Sequence, residues 1–125
     1  MITENYVSFE IAKLLKEKGF DENTHSYYIS DNEISYIGIT KRFNSESTFL
    51  SAPTHQMTLK WLREKYKIQV EITIVGYEPW ENPTKWYYGW RCQNVDIIDR
   101  INADYISYEE ATESAIKHCL KSYLV

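Results

Sequence analysis

From Ile68 to Ile74 the chain alternates strictly: Ile68, Val70, Ile72 and Ile74 are apolar, and Gln69, Glu71 and Thr73 between them are polar. Successive side chains of a β-strand point to opposite faces, so this run predicts a strand with one buried and one wet face. That is the pattern of an antiparallel sheet. Gly76 and a loop carrying Tyr77, Pro79, Trp80 and Pro83 follow, and then a second alternating run from Trp86 to Val95. It sets Trp86, Tyr88, Trp90 and Cys92 against Tyr87, Gly89, Arg91 and Gln93, so both of its faces carry aromatic rings. Gly89 marks a bulge or a close approach by another group.

Three helices and a second hairpin complete the pattern. A helix is expected over about residues 9–18. Ser8 caps it, Val7 packs on Ala12 as a staple, and Phe9, Ile11, Ala12, Leu14 and Leu15 form its apolar stripe. Gly19 fits the left-handed position beyond its end, and Phe20 folds back onto the last turn. Residues 25–30 and 34–39, rich in Tyr and Ile, read as a hairpin turning at Asp31-Asn32. Thr40 to Ser51 is mostly polar and reads as a long loop, a class of segment that is often functional or mobile. The second helix spans about residues 54–66 behind Pro53. Thr58, Leu59, Leu62 and Tyr66 share one face, with Met57 and Trp61 at its edge. The third begins at Ser107, which forms a capping box with Glu110. Tyr108, Ala111, Ala115, Ile116, Cys119, Leu120 and Tyr123 line its inner side. The order α-β-β-α-β-β-α defines an α+β chain, one domain over residues 1–125. A mostly antiparallel sheet of about four strands, in two hairpins, is packed by the three helices.

With 125 residues the chain can bury roughly two-thirds of its unfolded surface, so folding needs neither a metal nor a disulfide. Its net charge of −4 argues against general nucleic-acid binding, which requires a basic face. Cys92 and Cys119 are far apart, and with His25, His55 and His118 they form no zinc spacing. Asp96, Asp99 and Asp104 cluster loosely after the last strand without the spacing of a cation loop. No glycine-rich phosphate loop is present. His118 and Cys119 are chain neighbours on a helix and point about 100° apart, so they cannot act as a catalytic pair. No signal peptide and no apolar run near membrane-spanning length is seen, which makes the cytoplasm the expected location. No catalytic residue, metal or cofactor is expected.

Aromatic residues make up 15% of the chain, including eleven Tyr and four Trp. Six residues are the candidates for contact with a ligand or partner: Tyr77, Trp80, Trp86, Tyr88, Arg91 and Arg63. A Trp between two prolines is hard to bury, Tyr and Trp faces stack on planar groups, and Arg pairs with phosphate. Three fates are open. Trp86 and Trp90 can fill the core while Trp80 covers the sheet edge; the rings can form a protein-partner surface; or they can line a small-ligand pocket. Lys41-Arg42 can add positive charge or simply be solvated.

Several segments, in order along most of the chain, resemble a family of small, uncharacterised proteins carried by phages and prophages of gut Bacteroidota. They are residues 14–20, Ala52-Pro53-Thr54-His55-Gln56-Met57, Lys60-Trp61-Leu62-Arg63-Glu64-Lys65-Tyr66, Trp86-Tyr87-Tyr88-Gly89-Trp90 and Tyr108-Glu109-Glu110-Ala111. The resemblance implies a phage or mobile-element protein acting inside a bacterial cell and carries over no catalytic residues. The leading expectation is a non-enzymatic protein that binds a host protein through an aromatic surface, in a host-takeover or anti-defence role. The alternative is a sequestering protein for a nucleotide-like or cyclic-nucleotide signal, with the rings on the base and Arg91 or Arg63 on phosphate. A small hydrolase using His and acidic residues is third. Self-association as a homodimer or higher oligomer is compatible with all three.

Overall fold

The computed structural model describes residues 2–30 and 33–124, with Asn102 described by its backbone alone; the turn expected at Asp31-Asn32 lies outside the described residues. The chain is α+β. Helix α1 spans Phe9–Glu17, strands β1 and β2 span Thr24–Ser30 and Glu33–Lys41, and a short 3-10 turn covers Phe43–Ser45. Then come β3 at Leu50–Ser51, α2 at His55–Tyr66, β4 at Gln69–Glu78, β5 at Lys85–Gln93, β6 at Ile98–Tyr105 and α3 at Tyr108–Ser122. The strands form two antiparallel sheets, ordered β2-β1-β3 and β4-β5-β6.

The helix ends follow their sequence signals. The hydroxyls of Ser8, Thr54 and Ser107 accept hydrogen bonds from the backbone N–H groups of Ile11, Met57 and Glu110, each satisfying a donor that the first turn leaves free. Gly19 adopts φ +89°, and the Phe20 N–H returns to the Leu15 carbonyl at 2.9 Å, closing α1. One buried cluster unites the molecule. It takes Ile11, Ala12 and Leu15 from α1, Leu59, Trp61 and Leu62 from α2, Ile116, Cys119 and Leu120 from α3, Tyr28 from β1, and Trp90 and Cys92 from β5. Helix α3 packs across all three strands of the second sheet and against α1 and α2, while α1 meets β3 of the first sheet.

Two strands lie beyond the two hairpins expected. The segment 40–51 is not a free loop: β2 runs on to Lys41, and Leu50–Ser51 pairs with Tyr27–Tyr28 of β1. Asn44 and Ser51 exchange hydrogen bonds (3.1 and 2.8 Å), and the Lys16 ammonium donates to the carbonyls of Glu46 and Phe49. Tyr27, Phe43 and Phe49 pack their rings together beneath this segment. Lys41 pairs with Glu46 and Arg42 with Asp21, so these charges serve the surface of this segment. The second addition is β6, which takes Asp99 and Asp104 out of the supposed acidic cluster and onto a strand. Its alternation is interrupted by a register shift opposite Gly89, between the pairs Tyr88↔Tyr105 and Trp90↔Ile101. The Asn94 side chain makes the β5–β6 turn, its Oδ1 accepting from the N–H groups of Asp96 and Ile97. Within α2, Trp61 is buried rather than marginal, and Met57 is exposed.

Candidate functional site: an aromatic hairpin tip and a polar sheet face

Cross-strand pairing assigns each residue of the second sheet to a face. Val70↔Cys92, Ile72↔Trp90, Ile74↔Tyr88 and Tyr77↔Trp86 share the face that α3 covers, together with Tyr105, Ile101 and Asp99 of β6. Glu71↔Arg91, Thr73↔Gly89 and Gly76↔Tyr87 share the other face, joined there by Arg100.

The covered face divides along its length. At one end α3 seals it. Trp90 is 3% exposed and its indole N–H donates to Ser114 Oγ at 3.1 Å. The Cys92 and Cys119 sulfurs, both fully buried, lie 3.4 Å apart. Hydrogen bonding to Cys92 and burial push the Cys119 thiol well up, so it stays protonated and inert. At the other end α3 has not yet begun. Its first residue, Tyr108, meets the Tyr88 ring edge-on at 6.0 Å, and everything beyond is uncovered. Ile74, expected in the core from its alternation, is 59% exposed for this reason.

The uncovered end is aromatic. Tyr77 stacks on Trp80 with ring centroids 6.1 Å apart and planes 15° from parallel, and it also contacts Trp86 at 5.2 Å. Trp80 is 77% exposed, Trp86 41% and Tyr77 39%. Trp80 sits in the loop between β4 and β5, which the Thr84 N–H closes onto the Glu78 carbonyl at 3.1 Å. With Ile74 and Tyr108, these rings form a continuous apolar strip. Exposed rings gathered in this way are a candidate interaction surface.

Of the six residues singled out from sequence, the structure brings four together: Tyr77 in contact with both Trp80 and Trp86, and Tyr88 next along the same face. It separates the two arginines from them. Arg91 lies on the opposite sheet face, and Arg63 is exposed on α2. Gly89 had the clearest structural signal, since the β5–β6 register shifts at its position.

Sequence reading missed two acid–histidine contacts. Asp99 accepts from Tyr123 Oη at 2.7 Å and lies 3.0 Å from His118 Nε2; these contacts hold its carboxyl below the usual range. His118 packs on the Trp90 indole at 4.8 Å. Ser114 is one helical turn before His118, but its hydroxyl is engaged by Tyr105 and Trp90 rather than by the imidazole, so no nucleophile–base pair is assembled. The arrangement pins β5, β6 and the end of α3 together. The second contact sets His55 Nε2 3.4 Å from Glu113 Oε1, which also accepts from the Ser8 N–H, tying α1, α2 and α3. Both contacts join residues distant in the chain, which is why no spacing revealed them. Among the described residues no group of three metal-ligating side chains converges, and no helix is long and apolar enough to cross a membrane. Comparison with protein-family models, with curated proteins and with solved structures finds no match.

Proposed function

We propose that the chain is a small, non-enzymatic binding protein of a phage or mobile element. It engages a host protein through the aromatic tip of the β4–β5 hairpin, in a host-takeover or anti-defence role. One observation carries the reading: Tyr77 packs against both Trp80 and Trp86 while Trp80 stays 77% exposed. Rings fixed by their neighbours lose little freedom on binding, and buried Trp and Tyr dominate interface energetics. Glu81, next to Trp80 in the chain, is exposed, so the fitting partner has an apolar pocket with a cationic group at its rim.

The test places a photo-crosslinking amino acid at position 80 of the full chain, recovers the crosslinked protein from Bacteroidota host cells, and measures its affinity directly. Trp80→Ala should weaken that complex by at least about 1 kcal/mol while leaving the fold intact. Equal affinity for the folded variant and the wild type would refute the reading. The alternative, sequestration of a nucleotide-like signal with its base on these rings and its phosphate on Arg91 or Arg63, is less well supported, because Arg91 falls on the opposite face of the sheet and Arg63 is on α2.

A further inference from the structure

We propose that the solvent-facing side of the β4-β5-β6 sheet binds the phosphoryl group of a small phosphorylated ligand between Arg91 and Arg100. The two residues are direct cross-strand partners of β5 and β6. Like charges in that position destabilise a sheet unless something neutralises them. Among the described residues neither arginine forms a salt bridge. Arg91 gives one Nη2 hydrogen bond to Gln93 Oε1 at 2.8 Å, but its Nε–H is buried and meets no acceptor. A guanidinium donor withdrawn from water and left unmatched is costly, so the chain's own acceptors hold the Arg91 fork incompletely.

The space beside the pair suits such a group. A hollow of about 270 Å³ is lined by Glu71, Thr73, Ile74, Val75, Arg91 and Arg100. Two planar guanidinium forks match the several oxygens of one phosphoryl group, and the Thr73 hydroxyl adds a further donor. The Glu71 carboxylate, paired in register with Arg91, reduces the local charge to one net positive. One net positive charge in a chain of net charge −4 suits a single phosphoryl group and not a polyanionic strand. The two arginines lie on the face opposite the rings of the aromatic tip, and Ile74, beside the β4 register shift, borders both.

The experiment titrates isotope-labelled full-length protein with inorganic phosphate and with pyrophosphate, following backbone and arginine side-chain signals by NMR, with sodium chloride of equal ionic strength as control. Saturable shifts at Arg91, Arg100 and Thr73 are expected with both probes and not with chloride. Arg100→Gln should weaken binding by about tenfold or more, the equivalent of one charged hydrogen bond. Arg100→Lys should recover only part of the loss, because the ammonium lacks the fork. Glu71→Gln should tighten binding, and Trp80→Ala should leave it unchanged. If Arg100→Gln lost its fold, the Arg100→Lys and Glu71→Gln pair would decide the matter by their opposite signs. The absence of saturable shifts up to about 10 mM, ten times a millimolar Kd, would overturn the proposal. So would equal binding by wild type and Arg100→Gln, or tighter binding of a single-stranded oligonucleotide than of pyrophosphate.

Discussion

Replacing Trp80 and Trp90 by Ala, one at a time, separates the two ends of one sheet face. The residues belong to the same hairpin, yet Trp80 is 77% exposed and Trp90 is 3% exposed. A Trp side chain carries up to about 250 Å² of surface, so Trp80 keeps at most about 60 Å² from water; at about 25 cal/mol per Å² its removal costs about 1.5 kcal/mol at most. Its ring contact is the stacking on Tyr77. Removing Trp90 gives up nearly all of its surface burial, leaves a cavity beneath α3 and takes one hydrogen bond from Ser114 Oγ, which keeps its bond to Tyr105; this places the loss at roughly 3–5 kcal/mol. Urea unfolding followed by far-UV circular dichroism measures both, with the m-value checked for two-state behaviour. A Trp80→Ala loss as large as that of Trp90→Ala would show that the tip is packed in solution, and the interaction surface would then have no basis.

Two further predictions rest on α3. The Cys92 and Cys119 thiols should react with a water-soluble disulfide reagent far more slowly in the native protein than in urea; equal rates would show that α3 does not seal that end of the sheet. Tyr123, through its hydrogen bond, and then His118 hold the Asp99 carboxyl below its unfolded value, so the stability it contributes is present above the unfolded carboxylate pKa of about 4 and is lost as pH falls through the lower folded value. The stability difference between wild type and Asp99→Asn should therefore be full near neutrality and shrink below about pH 4, and a difference that stays constant down to pH 2.5 would contradict the assignment.

The legible parts of this fold are those governed by neighbours in the chain. Caps at Ser8 and Ser107 and the glycine stop at Gly19 need only a few consecutive residues, and all three read correctly; Thr54, expected as the first helical residue behind Pro53, is instead the cap of α2. Strands β4 and β5 announce themselves by strict alternation. Strand β6 does not, because a register shift breaks its period, and β3 is two residues long and exists only through its pairing with β1. The aromatic candidates were visible as a cluster of rings, but their division was not. Alternation places Ile74, Tyr88 and Trp90 on one face without saying where a covering helix stops.

The sequence by itself determined the α+β class, the three helices with their ends, and the hairpin that carries Tyr77, Trp80, Trp86 and Tyr88. These follow from local backbone preference and side-chain period. Only the tertiary structure decided that α3 begins at Tyr108, so that Trp90 is core and Trp80 is surface. It alone set Arg91 beside Arg100, and brought Asp99 to His118 and Cys92 to Cys119. Those outcomes depend on which segments pack against one another across long stretches of chain, and side-chain burial there is set by the reach of a neighbouring element rather than by the residue's own identity.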